Sequence, residues 1–217
     1  MSDREHIRLK AQSFFDDLWK RGDPWELETS AFERERYARL IAMLDQRRYE
    51  RVLEIGCGAG TFTRLLAGRA ERVLAIDISP RAIATAQAHP DLKQVEFRVE
   101  NIMDYNVKEN GPWDLIVMSE TIYYLGWLYS FFDISWLASE MFAATRPGGQ
   151  FLLANTQGVA SEPLLLPWII RTYRDLLLNV GYRLTAEEIF HGEKRGVGLE
   201  VLISVLVKDY PTTPDRS

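Results

Sequence analysis

Val52-Leu53-Glu54-Ile55-Gly56-Cys57-Gly58-Ala59-Gly60-Thr61-Phe62 is an apolar run that ends in three alternating glycines and opens onto a helical pattern. An apolar run of this length reads as a buried strand, and glycines directly after it let the backbone turn tightly and a ligand approach without a Cβ in the way. Such a strand–turn–helix unit belongs to a parallel α/β sheet. Further β-rich runs at Arg72 to Asp77, Val95 to Val99, Asp114 to Ser119 and Gln150 to Asn155 alternate with helical stretches, as a parallel sheet requires. The helix after the second run opens at Ser79-Pro80, with Ser as cap and Pro at the first helical position. Beyond Asn155 the pattern changes to a helix from about Trp168 to Asn179, then a strand near Arg183 to Phe190. A Gly- and charge-rich turn (Gly192 to Gly198) and an apolar strand (Leu199 to Val207) follow, and the two strands read as an antiparallel hairpin at the sheet edge.

Outward from that core, the first 50 residues hold 11 acidic and 10 basic side chains and read as two solvated helices without a basic face. Ile7, Ala11, Phe14, Phe15 and Leu18 recur at helical spacing before Arg21-Gly22-Asp23-Pro24 breaks the chain. Ser30 and Glu33 have the spacing of a capping box, in which each side chain bonds the other's backbone N–H, ahead of a stripe of Tyr37, Leu40, Ile41 and Leu44. Phe131, Phe132, Trp136, Leu137 and Met141, and also Trp168, Tyr173, Leu176 and Leu177, recur at helical spacing and are expected in the core.

Composition narrows the function. The chain has 217 residues, 47% of them apolar, and a net charge of −5, which excludes nucleic-acid binding by bulk positive charge. The greasiest stretch, Pro163 to Ile170, is far short of the roughly 18 apolar residues a membrane span needs. A lone cysteine, Cys57, cannot form an intrachain disulfide, and the polar N-terminus lacks a signal-peptide core, so a cytoplasmic setting is expected. No metal-ligand spacing is present, so no metal is expected.

The chemistry lies in two carboxylates. Asp77, at the end of the second run, is placed to accept hydrogen bonds from the two hydroxyls of a ribose, so the glycine turn and Asp77 together describe an adenosine site. A pyrophosphate-binding Gly-x-Gly-x-x-Gly turn would place its third glycine at position 61, where this chain has Thr61. Glu54 adds negative charge where a pyrophosphate would sit, but suits a cofactor carrying a cationic amine and a sulfonium. S-adenosylmethionine fits that description.

These segments resemble class I S-adenosylmethionine-dependent methyltransferases over about residues 30 to 207: Glu54 to Gly60 as the first motif, Asp77 as the ribose acid, and Arg146-Pro147-Gly148-Gly149-Gln150 as the turn before the fifth strand. Asn101-Ile102 stands where the family usually has an acid and a hydrophobe against adenine; the Asn carbonyl can still accept from the adenine amine. Asp23-Pro24-Trp25, Phe32-Glu33-Arg34-Glu35-Arg36 and Ser119-Glu120-Thr121-Ile122-Tyr123-Tyr124-Leu125 are similar to the nodulation-factor N-methyltransferases (NodS-like), which methylate an amino-sugar nitrogen.

The resemblance implies an α/β fold: a single Rossmann-like, seven-stranded, mostly parallel sheet with a C-terminal antiparallel hairpin and an N-terminal helical lid. The expected boundaries are 1–44 for the lid, 45–210 for the methyltransferase domain and 211–217 for a disordered tail. The cofactor set is Trp25, Arg34, Glu54, Gly56, Gly58, Gly60, Asp77, Ile78, Asn101, Ile102, Ser119 and Glu120. The catalytic candidates are Tyr123 and Tyr124, as an aromatic pocket wall, and His191, at a hairpin that could overhang the pocket. The expected partner is a small-molecule acceptor, with an amine preferred over a hydroxyl. An O-methyltransferase, a nicotinamide oxidoreductase and a non-catalytic cofactor-binding module are the alternatives.

Overall fold

The structure, a computed structural model, describes residues 3–211 apart from Lys93 and Ala160. Except for Pro211, the tail expected at 211–217 therefore lies outside the described residues. Seven strands form one sheet: β1 (Tyr49–Ile55), β2 (Ala70–Asp77), β3 (Val95–Val99), β4 (Trp113–Ser119), β5 (Thr145–Gln157), β6 (Arg183–Lys194) and β7 (Val197–Val207), in the order β3-β2-β1-β4-β5-β7-β6. The pairings through β5 are parallel, whereas β7 runs antiparallel to both β5 and β6. The strand order reverses between β1 and β4, the point at which open α/β sheets bind ligands beyond the carboxyl ends of the strands.

The helices are α1 (Asp3–Trp19), α2 (Ala31–Met43), α3 (Thr61–Ala67), α4 (Pro80–Gln87), α5 (Ile122–Leu128), α6 (Phe131–Ala144) and α7 (Pro167–Asn179). Alternation along the strands gives the sheet two apolar faces. Leu53, Ile76, Ile116, Met118 and Phe151 point to one, which α5, α6 and α7 cover. Val52, Val73, Leu115, Val117 and Leu152 point to the other, under α2, α3 and α4. Thus α2 belongs to a packed layer, burying Phe32, Tyr37 and Leu40. In α1, Asp16 accepts from the Ser79 hydroxyl (3.0 Å) and from Arg81 N and Nε (both 2.9 Å), while Gln12 donates to the Ile78 carbonyl (3.2 Å).

Three local expectations are corrected. Phe131, Phe132 and Trp136 are exposed on α6: its buried arc is Ile134, Leu137, Ala138 and Met141, and at about 100° per residue Phe132 and Trp136 fall on the opposite arc, while Phe131 is the first residue of the helix, at the border of the buried arc. Trp168, at the first turn of α7, is likewise exposed, while Tyr173, Leu176 and Leu177 are buried. The hairpin turn is shorter than the sequence implied. β6 and β7 continue to Lys194 and Val197, and Arg195 and Gly196 alone turn the chain, both at positive φ (54° and 75°).

The capping box is also elsewhere. Ser30 makes no side-chain cap to α2, whereas Ser130 and Asp133 form a complete box at the start of α6. Ser130→Ala should therefore cost about 1 kcal/mol in denaturant unfolding and Ser30→Ala only a few tenths. Equal losses at the two positions would contradict this assignment.

Candidate functional site

β1 delivers Glu54 to the base of the glycine turn, and β2 delivers Asp77 beside it. Glu54 is buried and accepts from the Thr63 hydroxyl at 2.5 Å. Burial pushes its carboxyl up to about 8, the Thr63 bond opposing and the Asp77 charge adding to the rise. Asp77 binds both sides of the turn, accepting from Gly58 N (2.9 Å) and Ser79 N (2.8 Å). Its carboxyl is raised by burial, against those two N–H groups. The turn needs its glycines for two reasons: Gly56 has φ 77°, and a Cβ there would lie 2.2 Å from the Thr121 hydroxyl oxygen.

These residues open onto a cavity of about 640 Å³, within the range of small-molecule sites. Of the expected cofactor residues, Trp25, Glu54, Gly56, Gly58, Asp77, Ile78, Asn101, Ile102, Ser119 and Glu120 line it, as do Tyr123 and Tyr124. Trp25 meets Trp19 edge to face at 5.7 Å, and Trp19 closes on Gly58. Asn101 uses its carbonyl to accept from Met103 N (3.2 Å) and its amide to donate to the Tyr129 hydroxyl (2.8 Å), so only one acceptor position remains for a ligand.

Three expected residues lie off the cavity wall. Gly60 caps α3 in a left-handed conformation and faces Ala86 and Leu92. Arg34 lies on the exposed side of α2 and donates to the Thr29 carbonyl (2.9 Å). His191 has 68% of its side chain exposed and sits 3.7 Å from Glu200, because alternation along β6 turns Phe190 toward α2 and His191 outward. Its expected place at the pocket is not what the structure has.

In Arg34's place stands Arg36, which is 2% exposed. It donates to Glu33 (2.8 and 2.6 Å) and to the Ser119 hydroxyl (2.8 Å), lies 3.5 Å from Glu120 and stacks on the Tyr37 ring. Burial opposes its charge, but Tyr37, Glu120 and Glu33 around it raise its pKa above the usual guanidinium value. Glu33 faces inward instead of capping α2, and Lys194 at the tip of β6 reaches it at 2.5 Å and the Trp25 carbonyl at 2.5 Å. One signal for Arg36 was present in the sequence: it sits four residues after Phe32 and four before Leu40, on the buried stripe. Lys194, in what read as a loop, had none.

The seven-stranded sheet with its reversed β7 and its acid-lined glycine turn is the Rossmann-like fold of S-adenosylmethionine-dependent methyltransferases. Residues 11–140 match the family Nodulation protein S (NodS), and the chain belongs to that family. A nodulation protein S from Sinorhizobium fredii is 38% identical over 105 residues, 48% of this chain and 48% of that protein. A ubiquinone biosynthesis O-methyltransferase of Xanthomonas oryzae pv. oryzae is 26% identical over 107 residues, 48% of this chain and 42% of the relative. The matches thus span about half the length of these curated relatives. The crystal structure of N-methyltransferase NodS from Bradyrhizobium japonicum in complex with S-adenosyl-L-homocysteine superposes with a TM-score of 0.70 at 25% identity, covering 86% of this chain and 92% of that one. No helix among the described residues is long and apolar enough to cross a membrane.

The buried acid at the heart of the site has a measurable signature. Between the ordinary carboxyl value of 4.5 and about 8, folded Glu54 keeps a proton that the unfolded chain has released, so its contribution makes stability fall as pH rises through that window. In Glu54→Gln that component is absent. The denaturation midpoint of the unliganded protein should decline from pH 5 to pH 8 relative to the variant's, and parallel profiles would refute the assignment.

Proposed function

We propose that the protein binds S-adenosylmethionine and methylates the nitrogen of a small-molecule amine, an amino sugar or a similar acceptor. The observation that carries this reading is the pair of carboxylates, Glu54 and Asp77, at the glycine turn of one cavity. The donor set fits the cofactor. Asp77 suits a ribose diol, Glu54 a cationic amine, Arg36 a carboxylate, and Asn101 with Ile102 an adenine edge and face. Bound, the cofactor supplies a sulfonium-activated methyl group for direct in-line displacement by an acceptor lone pair.

The chain's part is then alignment and exclusion of water. Trp19 at the end of α1, with Trp25 and Leu27 of the segment after it, packs beside the glycine turn and roofs the cavity, and of the stretch up to residue 44 we take α1 and that segment as the lid through which ligands pass, α2 being packed against the sheet. Tyr123 and Tyr124, side by side on α5, form the wall on the acceptor side. Support for an amine over a hydroxyl comes from the NodS membership and from the likeness to the Bradyrhizobium japonicum N-methyltransferase NodS.

Two measurements test this. Asp77→Ala should weaken S-adenosylhomocysteine binding by about 1.5 to 3 kcal/mol in calorimetry, through loss of a charged acceptor for two hydroxyls. Because Asp77 also holds Gly58 N and Ser79 N, the variant should lose some thermal stability as well. An unchanged affinity, or NAD binding in place of S-adenosylhomocysteine, would refute the cofactor reading. Incubation with labelled S-adenosylmethionine and a panel of amines and phenols should give labelled products with amines. Labelled phenols alone would make an O-methyltransferase the better description.

A further inference from the structure

The acceptor side of the cavity is built on one strained residue. Glu120, directly after β4, holds a left-handed backbone (φ 54°), a conformation that non-glycine residues keep only where their surroundings over-determine it. Those surroundings are specific. Glu120 N donates to the Ala154 carbonyl (2.8 Å), and the carboxylate accepts from Thr156 N (2.9 and 3.0 Å), the Thr156 hydroxyl (3.0 Å) and the Tyr123 hydroxyl (3.1 Å). A carboxylate has about four acceptor positions. One therefore remains, on a side chain that is 24% exposed and lines the cavity.

Aromatic rings line the same cavity. The Tyr123 and Tyr124 rings lie 4.5 Å apart at 46°, and Phe15 of α1 meets Tyr124 edge to face at 5.0 Å. Aromatic faces beside a carboxylate recognise a cation, through the ring quadrupole and through charge-assisted hydrogen bonding. Arg36, 3.5 Å from Glu120, approaches from α2 together with Glu33, which is itself paired with Arg36 and with Lys194 of β6. Glu162, in the segment after β5, adds a further carboxylate to the wall.

We propose that Glu120, Tyr123, Tyr124 and Phe15 form a cage that takes the acceptor amine as its ammonium ion, and that Glu120 receives the proton the amine must lose before methylation. This rests on the amine reading above and moves Glu120 from the cofactor side to the acceptor side. In the step, one N–H bond breaks, an O–H bond forms on Glu120, and the electron pair stays on nitrogen. The enclosed setting favours it, because a neutral amine beside a neutral carboxyl is less costly to bury than an ion pair. Burial also raises the Glu120 carboxyl, against Arg36 and the Thr156 N–H.

The test uses the whole chain, with and without saturating S-adenosylhomocysteine, and two probes of equal shape, n-butylammonium and n-butanol, titrated at pH 7 in buffers of different ionisation enthalpy. The wild type should prefer butylammonium by tenfold or more, with no net proton released to buffer. Glu120→Gln should erase the preference and release about one proton per amine bound, because only the neutral amine is accepted. Equal affinity for the two probes in the wild type, no binding of butylammonium, or a preference that survives in Glu120→Gln overturns the cage. Should Glu120→Gln fail to fold, Phe15→Leu and Tyr124→Leu should each reduce the preference severalfold, and an unchanged preference overturns it equally. Absence of S-adenosylhomocysteine binding by the wild type would instead sink the methyltransferase reading, while the titrations without it still decide the cage.

Discussion

A fully buried guanidinium is costly to fold unless its charge is met on several sides. Arg36 is such a group, and the elements that meet it are those that enclose the cavity. α2 supplies Glu33 and the Tyr37 ring, the end of β4 supplies Ser119 and Glu120, and the tip of β6 joins through Lys194 on Glu33. Three segments far apart in the chain are thus held to one point by charge, and the cavity is the space left between that point and the glycine turn. Removing the guanidinium would leave the Glu33 and Glu120 carboxylates without the cation they share, Glu33 keeping Lys194 and Glu120 keeping only neutral donors on Thr156 and Tyr123.

The parallel core was legible because its signals are local and agree with one another. Strand runs end in turn residues, Ser79 caps α4 with Pro80 behind it, and glycines follow β1 where the backbone needs positive φ. The neighbourhood of Glu54 and Asp77 at the glycine turn was legible for the same reason, since they occupy fixed places at strand ends. What failed were residues whose role is set by distant partners. Ser30 and Glu33 have the spacing of a capping box, but Glu33 gains more from two buried cations than from its own backbone, so tertiary charge overrides the local signal. Arg34 and Arg36 differ by two positions, which on a helix is close to opposite faces. On α6 the aromatic residues and the aliphatic ones both recur at helical spacing, and only the sheet decides which arc is buried.

The family match and the cavity do not share a boundary. The match ends at residue 140, on α6, so the glycine turn, Glu54, Asp77, Arg36 and the α5 tyrosines lie within it. Thr156, Glu162 and Lys194 come from beyond it, yet they position Glu120, extend the wall and brace Glu33. The end of the cavity at the glycine turn is thus built from the segment that defines the family, whereas the end at Glu120 joins that segment to the later chain. Changes in β5, β6 and their loops can therefore reshape the end of the cavity at Glu120 while the glycine turn stays as it is.

The placement of the tryptophans divides the protein's optical signals. Trp19 is buried and paired edge to face with Trp25 at the roof of the cavity, whereas Trp127, Trp136 and Trp168 stand in solvent on α5, α6 and α7. Two indoles 5.7 Å apart are close enough to couple electronically and give a near-ultraviolet dichroic couplet. The three exposed rings emit at long wavelength and are open to aqueous quenchers. Iodide or acrylamide can therefore silence most of the surface emission, leaving a dichroic couplet that belongs to the roof and a blue-shifted residue of fluorescence that the roof shares with the buried Trp113.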